Sequence, residues 1–509
     1  MTGRRAMGPV DAIWLSMDSP DNLMVIDAII SLGGPVDVER LKAIVRHRLI
    51  DRYPVFSQLV VEPYTPLGMP HWEDDEEFSI DQHLHHVQLP EPGDEATLQA
   101  FIEQKMQEPL DRDRPLWQLY LIDGHAGGTV LLSRFHHALA DGIALARVLL
   151  SLTDEEPDGD VVGGEDASST TKPVNSAVTS LIDVAGRLAA PVSAGVRGAL
   201  SMFGEIPAAL NPTYAIEALT AAWQTGQIAD KLLLGHNPNS PVSGTPGRAK
   251  RAVWAKPRPL TDIKLVGRVT GATVNDVLIG AVSGAISEYV SQRGGDPDDL
   301  TTMVPVNLRD LGQPLPRELG NKFALVMLPL PTSRLAPLQR LAETKRRMDA
   351  IKSSPEAVVT FGLITAIGHT NTQIAKQVID FFAGKAIGVT TNVAGPMTSR
   401  YLAGAPITGI LGWVPGSGHQ TLGVCIFSYD GVVQVGFKAD AAVITDPEIL
   451  VHALDEEMDT LIRLTGRHRA HRHQHRHHPR PPHEMRWHCS TGRPQTGQTQ
   501  RTVCANKPA

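Results

Sequence analysis

A polar, acidic stretch interrupts the chain and restricts its fold more than any other feature. From Asp154 to Lys172 the sequence is acidic and rich in Gly, Ser and Thr, a composition typical of an exposed linker. The chain has 509 residues, whereas one hydrophobic core seldom grows beyond about 250–300 residues. The break therefore predicts two folded parts rather than one.

Four segments follow from this break and from the patterns on either side. Both folded parts mix helical and strand-like hydrophobic periodicity, which predicts an α/β fold. Ala-rich helical patterns continue after the break to about Leu234, and the strongly basic, His-rich sequence after Gly466 has too few apolar residues to build a core. We predict an N-terminal part (1–153), a linker with a helical connection (154–250), a C-terminal part (251–466) and a disordered tail (467–509).

The charge is distributed unevenly. The chain holds 47 basic and 55 acidic residues, and the tail alone contributes eight Arg, one Lys and a single acidic residue, Glu484. The folded parts therefore carry a clear negative excess, which argues against nucleic acid as their partner.

Neither targeting nor membrane-spanning signals stand out. The N-terminus lacks the apolar core of a secretion signal, and no run reaches the roughly 18 apolar residues of a spanning helix. The three cysteines, Cys425, Cys489 and Cys504, show no paired spacing, which fits a reducing, cytoplasmic setting. We expect a chain that does not span a membrane but can lie on one.

The segment from Phe135 to Gly142 (Phe-His-His-Ala-Leu-Ala-Asp-Gly) carries the clearest chemical signal. An apolar strand delivers two histidines, and a turn with Asp141 and Gly142 leads into the next helix. Adjacent strand residues point to opposite faces, so one imidazole can enter a cleft while the other packs inside. The same geometry makes shared coordination of one metal ion improbable, and we predict no metal site.

A histidine at this place has two readings. It can act as a general base that takes a hydroxyl proton during acyl transfer, which is typically worth about 10²- to 10⁴-fold in rate. The alternative is a core histidine followed by an Asp that caps the next helix. Residue chemistry alone leaves both interpretations open.

Three further histidines, His83, His85 and His86, lie close together in the sequence. We predict that they are solvated strand residues, since no Cys or Glu is suitably spaced for a zinc site.

Further motifs occur in a fixed order along the chain. They are Gly8–Ala12 (GPVDA), His86–Pro90 (HVQLP), Pro109–Trp117 (PLDRDRPLW), the His-His-x-x-x-Asp-Gly dyad motif, Thr273–Val277 (TVNDV), Pro305–Arg309 (PVNLR), Gly320-Asn321, Thr391–Pro396 (TNVAGP), Gly412–Pro415 (GWVP) and Ser428–Gly431 (SYDG). Over roughly residues 7 to 465 this order resembles the bacterial wax ester synthase/diacylglycerol acyltransferase family of the chloramphenicol acetyltransferase-like superfamily.

The resemblance implies two chloramphenicol acetyltransferase-like α/β domains, each a mixed sheet flanked by helices, with a central substrate channel. It implies that His137 is the general base and His136 a supporting residue. From the residues themselves we expect Asp141 to hold the turn in shape and Gly142 to relieve the backbone where the chain enters the next helix. An ion pair between Asp141 and an arginine such as Arg309 is a further hypothesis.

Two more motif groups are associated in the family with substrate placement or channel shape. They carry over to Pro115, Leu116, Trp117, Asn275 and Asp276. The plain alternatives are a buried aromatic for Trp117 and a helix-cap pair for Asn275 and Asp276.

The implied reaction transfers a long-chain acyl group from acyl-CoA, as co-substrate and without a cofactor, to diacylglycerol or a long-chain alcohol. Apolar substrates imply peripheral association with the inner face of the membrane or with lipid droplets. Two alternatives remain open: a lipid-binding family member without turnover, and a condensation or polyketide-associated acyltransferase fed by a carrier protein.

Overall fold

The computed structural model describes residues 4–64, 68–162, 237–354, 356, 360, 364, 367 and 372–476. By their contacts, Met1–Gly466 and Arg467–Ala509 form separate units. The Ala-rich segments predicted up to Leu234 lie outside the described residues, as does the tail after Arg476.

Nine helices of eight residues or more lie in the described ranges. They are α1 (Pro9–Met17), α2 (Val38–Val45), α3 (Glu95–Met106), α4 (Gly142–Ser151), α5 (Leu260–Thr270), α6 (Val274–Gln292), α7 (Pro337–Lys352), α8 (Thr372–Ala383) and α9 (Glu448–Arg476).

Sixteen strands accompany them in the described ranges. They are β1 (Arg5–Ala6), β2 (Val25–Leu32), β3 (Gln58–Val61), β4 (His71–Asp74), β5 (Leu84–Gln88), β6 (Trp117–His125), β7 (Gly128–His136), β8 (Lys250–Trp254), β9 (Arg258–Pro259), β10 (Leu300–Asn307), β11 (Phe323–Leu330), β12 (Gly388–Ala394), β13 (Tyr401–Leu402), β14 (Ala405–Trp413), β15 (Leu422–Tyr429) and β16 (Val432–Asp440).

Two larger sheets form the framework. The first has the order β13-β14-β2-β7-β6-β5, and the second runs β11-β10-β12-β15-β16-β8 with β9 beside β16. Each is mixed, because β5 runs parallel to β6 and β12 runs parallel to β10 and β15, while the other neighbours are antiparallel. The predicted mixed α/β class is confirmed.

Strand β14 links the two parts of the chain. It belongs by sequence to the C-terminal part, yet it pairs antiparallel with β2 of the first sheet from Ile407↔Leu32 to Trp413↔Asp27. Asp27 in turn contacts cations from both sheets: Arg134 Nε lies 3.1 Å from Oδ1 and Lys438 Nζ 3.2 Å from Oδ2. These buried contacts join the two sheets.

The strand that carries the dyad is buried along most of its length because its neighbours cover both edges. β7 pairs with β2 on one side and β6 on the other. The apolar strand and the following helix that the sequence predicts around the dyad are confirmed as β7 and α4. The dyad therefore stands at the end of a central strand.

Two segment predictions need correction. Asp154, predicted to begin an exposed linker, is buried: its Oδ1 lies 2.8 Å from Arg48 Nη2, and its backbone bridges to Tyr401. Such a buried ion pair fixes the chain in spite of its polar composition. The tail predicted to be disordered from residue 467 is helical as far as Arg476, since the last helix runs from Glu448 to Arg476 and no proline intervenes before Pro479.

Among the described helices, none is by itself long and apolar enough to cross a bilayer. Helices α5 and α6 reach that length and composition only as a pair, which is bent by 97°.

Candidate active site

The backbone of the dyad is fixed by the two neighbouring strands. His136 N donates to Leu116 O at 3.0 Å, and His137 N donates to Met24 O at 2.7 Å. The first bond comes from the residue before β6 and the second from the residue before β2. The strand end therefore has a defined position in spite of the turn that follows it.

His137 is partly exposed and lies among aromatic side chains. Its ring stacks on Trp14 with centroids 4.2 Å apart, and Phe323 lies 5.7 Å away. Nδ1 is buried without a hydrogen-bond partner, which leaves Nε2 as the nitrogen able to reach a substrate.

Burial lowers the pKa of the His137 imidazole to about 4, although its own backbone carbonyl, the Asp141 charge and the Asn321 side chain act to raise it. The imidazole is therefore neutral near pH 7. A neutral imidazole can accept a hydroxyl proton, which is the requirement for a general base.

His136 occupies the opposite, buried face. Its Nδ1 accepts the N–H of Ala138 at 3.0 Å, so the proton of the neutral ring is on Nε2. Nε2 lies 3.7 Å from Asp18 Oδ2. Burial acts to raise the pKa of Asp18, but His136, the Met24 N–H and Arg112 together lower it. The predicted separation of the two imidazoles is present in the structure.

Both carboxylate oxygens of Asp141 make hydrogen bonds within the protein. Its Oδ1 accepts the Ala144 N–H at 2.9 Å and so caps α4, while Oδ2 lies 3.1 Å from Arg309 Nε and accepts the Lys322 N–H at 3.0 Å. The hypothesis of an Asp141–Arg309 pair is confirmed. Because Arg309 and Lys322 belong to the C-terminal part, Asp141 ties the dyad turn to it.

The backbone argument for Gly142 is wrong for this structure. Its φ is not positive, and a Cβ at this place would meet only Ile26 Cδ1 at 3.8 Å, an ordinary contact. Gly142 is simply the first residue of α4.

Pro115, Leu116 and Trp117 support the dyad from the core. All three are buried, and Trp117 Nε1 donates to Phe56 O at 2.8 Å while its ring stacks on His83 at 4.5 Å. The plain alternative, a buried aromatic, describes Trp117. The direct link to the site is the Leu116 carbonyl that accepts the His136 N–H.

His83 corrects another prediction. It is fully buried between Phe78 and Trp117, and Nδ1 lies 2.8 Å from Trp117 O. Stacking and one backbone hydrogen bond offset the free-energy cost of burying the His83 imidazole. The hydrophobic periodicity of a strand does not reveal such contacts. Within the described ranges no group of three or more His, Cys, Asp or Glu side chains is arranged to hold a metal ion.

Asn275 and Asp276 lie at the start of α6. Asp276 forms a capping box with Thr273, with Thr273 N to Asp276 Oδ2 at 2.8 Å, as the helix-cap alternative describes. Asn275 Oδ1 accepts from Asn392 Nδ2 at 2.9 Å. The pair thus fixes the helix start against β12.

Sequence reasoning missed several residues beside His137. Asn321 Nδ2 donates to His137 O at 2.8 Å and to Asp11 Oδ1 at 2.8 Å. Asp11 and Asn321 occur in the Gly8–Ala12 and Gly320-Asn321 motifs. The sequence therefore marked both residues, but nothing in it indicated what they contact. Trp14 and Phe323 had no signal, since apolar aromatics in regular elements usually indicate core.

Solved structures with the same fold were found by comparison. The chain is similar to the wax ester synthase/diacylglycerol acyltransferase from Marinobacter aquaeolei VT8, with a TM-score of 0.63, 19% identity, and coverage of 91% of this chain and 100% of that one. It is also similar to the first condensation domain of the calcium-dependent antibiotic synthetase, with a TM-score of 0.54, 17% identity, and coverage of 91% and 96%. The fold is therefore the two-domain chloramphenicol acetyltransferase-like fold.

Sequence comparisons define the family. Residues 7–278 match the wax ester synthase/diacylglycerol acyltransferase catalytic domain, and residues 319–462 match the C-terminal domain of the same family. The probable diacylglycerol O-acyltransferase tgs1 of Mycobacterium tuberculosis is 26% identical over 476 residues, covering 90% of this chain and 96% of that protein. The chain belongs to the wax ester synthase/diacylglycerol acyltransferase family and is an acyltransferase.

Proposed function

We propose that this acyltransferase moves a long-chain acyl group from acyl-CoA to the hydroxyl of diacylglycerol or of a long-chain alcohol, with His137 as general base. The environment of His137 is the main support for this proposal. Its imidazole is neutral, stacks on Trp14 and has Nδ1 buried. Only Nε2 is left to meet a hydroxyl.

The reaction balances without an acyl-enzyme. Nε2 of His137 takes the hydroxyl proton as the hydroxyl oxygen attacks the thioester carbonyl carbon. The tetrahedral oxyanion collapses, the carbon–sulfur bond breaks, and the imidazolium returns its proton to the CoA thiolate. The products are the ester and free CoA, and the steps as written need no cofactor or metal, so a chelator should leave the rate unchanged.

Two names among the similar proteins support the choice of acceptor. The mycobacterial relative is called a diacylglycerol O-acyltransferase, and the Marinobacter structure combines wax ester synthase with that activity. Both acceptors present a hydroxyl on a long apolar body. Stacked aromatic side chains beside His137 suit such a body better than a charged acceptor.

Helix α8 supports peripheral association with the inner face of the membrane or with lipid droplets. Phe381 on α8 is 46% exposed, and Lys385 Nζ lies 4.4 Å from the centre of its ring. The opposite side of α8 packs through residues such as Ile379 against a cluster that includes Trp14, the side chain stacked on His137. An apolar residue with a neighbouring cation suits an anionic lipid surface.

Vesicle binding tests this association. Phe381→Ser should weaken binding to vesicles that contain anionic lipid, whereas Val269→Ser, at a similarly exposed apolar helix position (40%), should not. Carbonate should release the native protein from membranes. Retention after carbonate treatment would contradict peripheral binding.

Product analysis tests the acyl transfer itself. Purified protein is incubated with palmitoyl-CoA and either diolein or hexadecanol, and free thiol and lipid products are followed together. We expect thiol release that requires the acceptor and equals ester formation. A lipid-binding protein without turnover gives neither, and an enzyme that depends on a carrier protein gives ester only when the acyl group is supplied on that carrier.

A further inference from the structure

Several buried polar atoms around the dyad have no hydrogen-bond partner, among them Trp14 Nε1 and one atom each of His137 and Asn321. Nδ1 of His137 and Oδ1 of Asn321 are both enclosed by protein and make no hydrogen bond. One is a ring nitrogen that can carry a proton, and the other is an acceptor. Buried polar atoms are rarely left unpaired, so this pair requires an explanation.

The orientation of the Asn321 carboxamide is determined by its surroundings. Nδ2 faces two acceptors, His137 O and Asp11 Oδ1, each at 2.8 Å. An inverted amide would place its oxygen against both of these oxygens, so the nitrogen must occupy this position. Oδ1 is consequently the free end of the amide, on the same residue that already binds the His137 backbone.

Asp11 holds Asn321 in place. Its Oδ1 accepts from both the backbone N and the side-chain Nδ2 of Asn321, each at 2.8 Å. Asp11 is itself only 7% exposed on α1, whereas Asn321 directly precedes Lys322 and β11. The pair therefore connects two separate parts of the chain at the point where His137 lies.

We propose that Asn321, held by Asp11, is the positioning residue of His137: Asn321 Oδ1 accepts a hydrogen bond from His137 Nδ1–H when the imidazole turns toward it. That hydrogen bond fixes the tautomer in which Nε2 is unprotonated and can take the hydroxyl proton. During turnover the same acceptor stabilises the imidazolium. The proposal deepens the proposed function, on which it rests.

The electrostatics are consistent with this arrangement. Burial lowers the pKa of His137, whereas its own backbone carbonyl, Asp141 and, after them, Asn321 act to raise it. Burial raises the pKa of Asp11 to about 6, while its hydrogen bonds from Asn321 act to lower it. Near neutral pH Asp11 is therefore ionised and can accept both hydrogen bonds.

The tautomer can be read without substrate. ¹⁵N NMR of histidine-labelled protein at pH 7, with His137 assigned by its loss in His137→Gln, should show an unprotonated Nε2 and a protonated Nδ1 in the native chain. Asn321→Ala should shift His137 toward a mixture of tautomers. No change in the variant overturns the proposal while leaving the acyl-transfer proposal intact. An unprotonated Nδ1 in the native chain would contradict both, because Nε2 would then carry the proton and could not act as the base.

Kinetics provide a second measurement. Asn321→Ala should lower kcat by about 30- to 100-fold, since the loss of a tautomer-fixing partner removes much of the roughly 10²- to 10⁴-fold worth of a general base. KM should stay within about threefold. Asn22→Ala is the matched control: Asn22 is equally exposed at 8% and donates one 2.8 Å hydrogen bond to Gly418 O. It should lower Tm but keep kcat within about threefold.

An exchange of the two side chains tests rescue. The double variant Asn321→Asp, Asp11→Asn keeps one carboxylate and one amide but places the carboxylate beside His137 Nδ1. It should recover at least about tenfold of the kcat lost in Asn321→Ala and move the acid limb of the pH–rate profile upward, because a neighbouring anion raises the pKa of the base. Because the new carboxylate also places an oxygen where Nδ2 faced His137 O, Tm is measured beside the rate. A double variant with the native Tm, no recovery and an unmoved limb would contradict the positioning role of Asn321.

Discussion

The two histidines at the end of β7 are identical in chemistry and adjacent in sequence, yet their surroundings differ. His136 is 1% exposed, accepts the Ala138 N–H, and faces the Asp18 carboxylate. His137 is partly exposed, stacks on Trp14, and has Asn321 beside its backbone. The difference teaches that strand alternation gives two adjacent imidazoles different environments, one enclosed in the protein interior and one partly open to solvent.

The largest contrast should come from removing each imidazole in turn, beginning with His137→Ala. We expect at least about a 100-fold loss of rate, the lower end of general base catalysis, with little change in Tm because the side chain is partly exposed. Initial rates of thiol release and melting curves measure both. Retention of more than about a tenth of the rate would end the assignment of His137 as base.

Asp141→Asn tests the turn that both histidines share. An asparagine still caps α4, but it loses the charge that faces Arg309 in a pair whose side chains are only 6% and 4% exposed. An unpaired buried guanidinium should cost about 1–3 kcal/mol of stability and lower the rate about tenfold by moving the dyad.

Asp349→Asn provides the control for that substitution. Asp349 pairs with Lys345 at 2.6 Å on the exposed face of α7, where such pairs contribute little. Its Tm and rate should remain close to those of the native chain. An equally small effect for Asp141→Asn would show that the buried pair does not hold the turn.

His136→Ala should act mainly on stability. It removes a buried ring and leaves the Ala138 N–H without its acceptor, so we expect about 2–3 kcal/mol of destabilisation and a rate reduced only a few-fold. His136→Phe keeps the volume but not the acceptor, and it separates packing from hydrogen bonding. A loss of rate as large as that of His137→Ala, in a protein of unchanged Tm, would reverse the roles of the two histidines.

Local features of the site could be predicted from the sequence because they depend on near neighbours. Strand alternation separated His136 from His137, and the position of Asp141 before an apolar helical pattern indicated an N-cap. The Asp141–Arg309 pair was proposed without structural support and is present at 3.1 Å.

Long-range features could not be predicted, because periodicity states that a segment is a strand but not which strand it joins. β14 pairs with β2 across the two parts of the chain, and Asn321 contacts His137 although 184 positions separate them in the sequence. His83 is buried although its sequence context reads as a solvated strand. In each case a partner distant in sequence determines the outcome.

The smallest effect on the rate at neutral pH should come from Trp14→Ala. This substitution tests whether the aromatic stack, present at His137 and not at His136, sets the protonation state of His137. Burial holds the pKa of His137 near 4, and the stacked Trp14 ring contributes to that burial. Removal of the indole admits water and should raise the pKa of His137 toward the ordinary value of about 6.5.

The pH dependence of the rate measures this change. A base must be unprotonated, so the rate declines as pH falls through its pKa. Protonation of Asp11 near pH 6 affects the native chain and the variant alike. Apart from that shared change, the native chain should keep its kcat/KM from pH 8 to about 5, whereas Trp14→Ala should decline further near pH 6 and differ little at pH 8. Trp14→Phe retains a ring over the imidazole and should keep the native profile. If Trp14→Ala leaves the acid limb where it was, the aromatic stack does not set the protonation state of His137, and the environment on the His137 face differs from that of His136 in access alone.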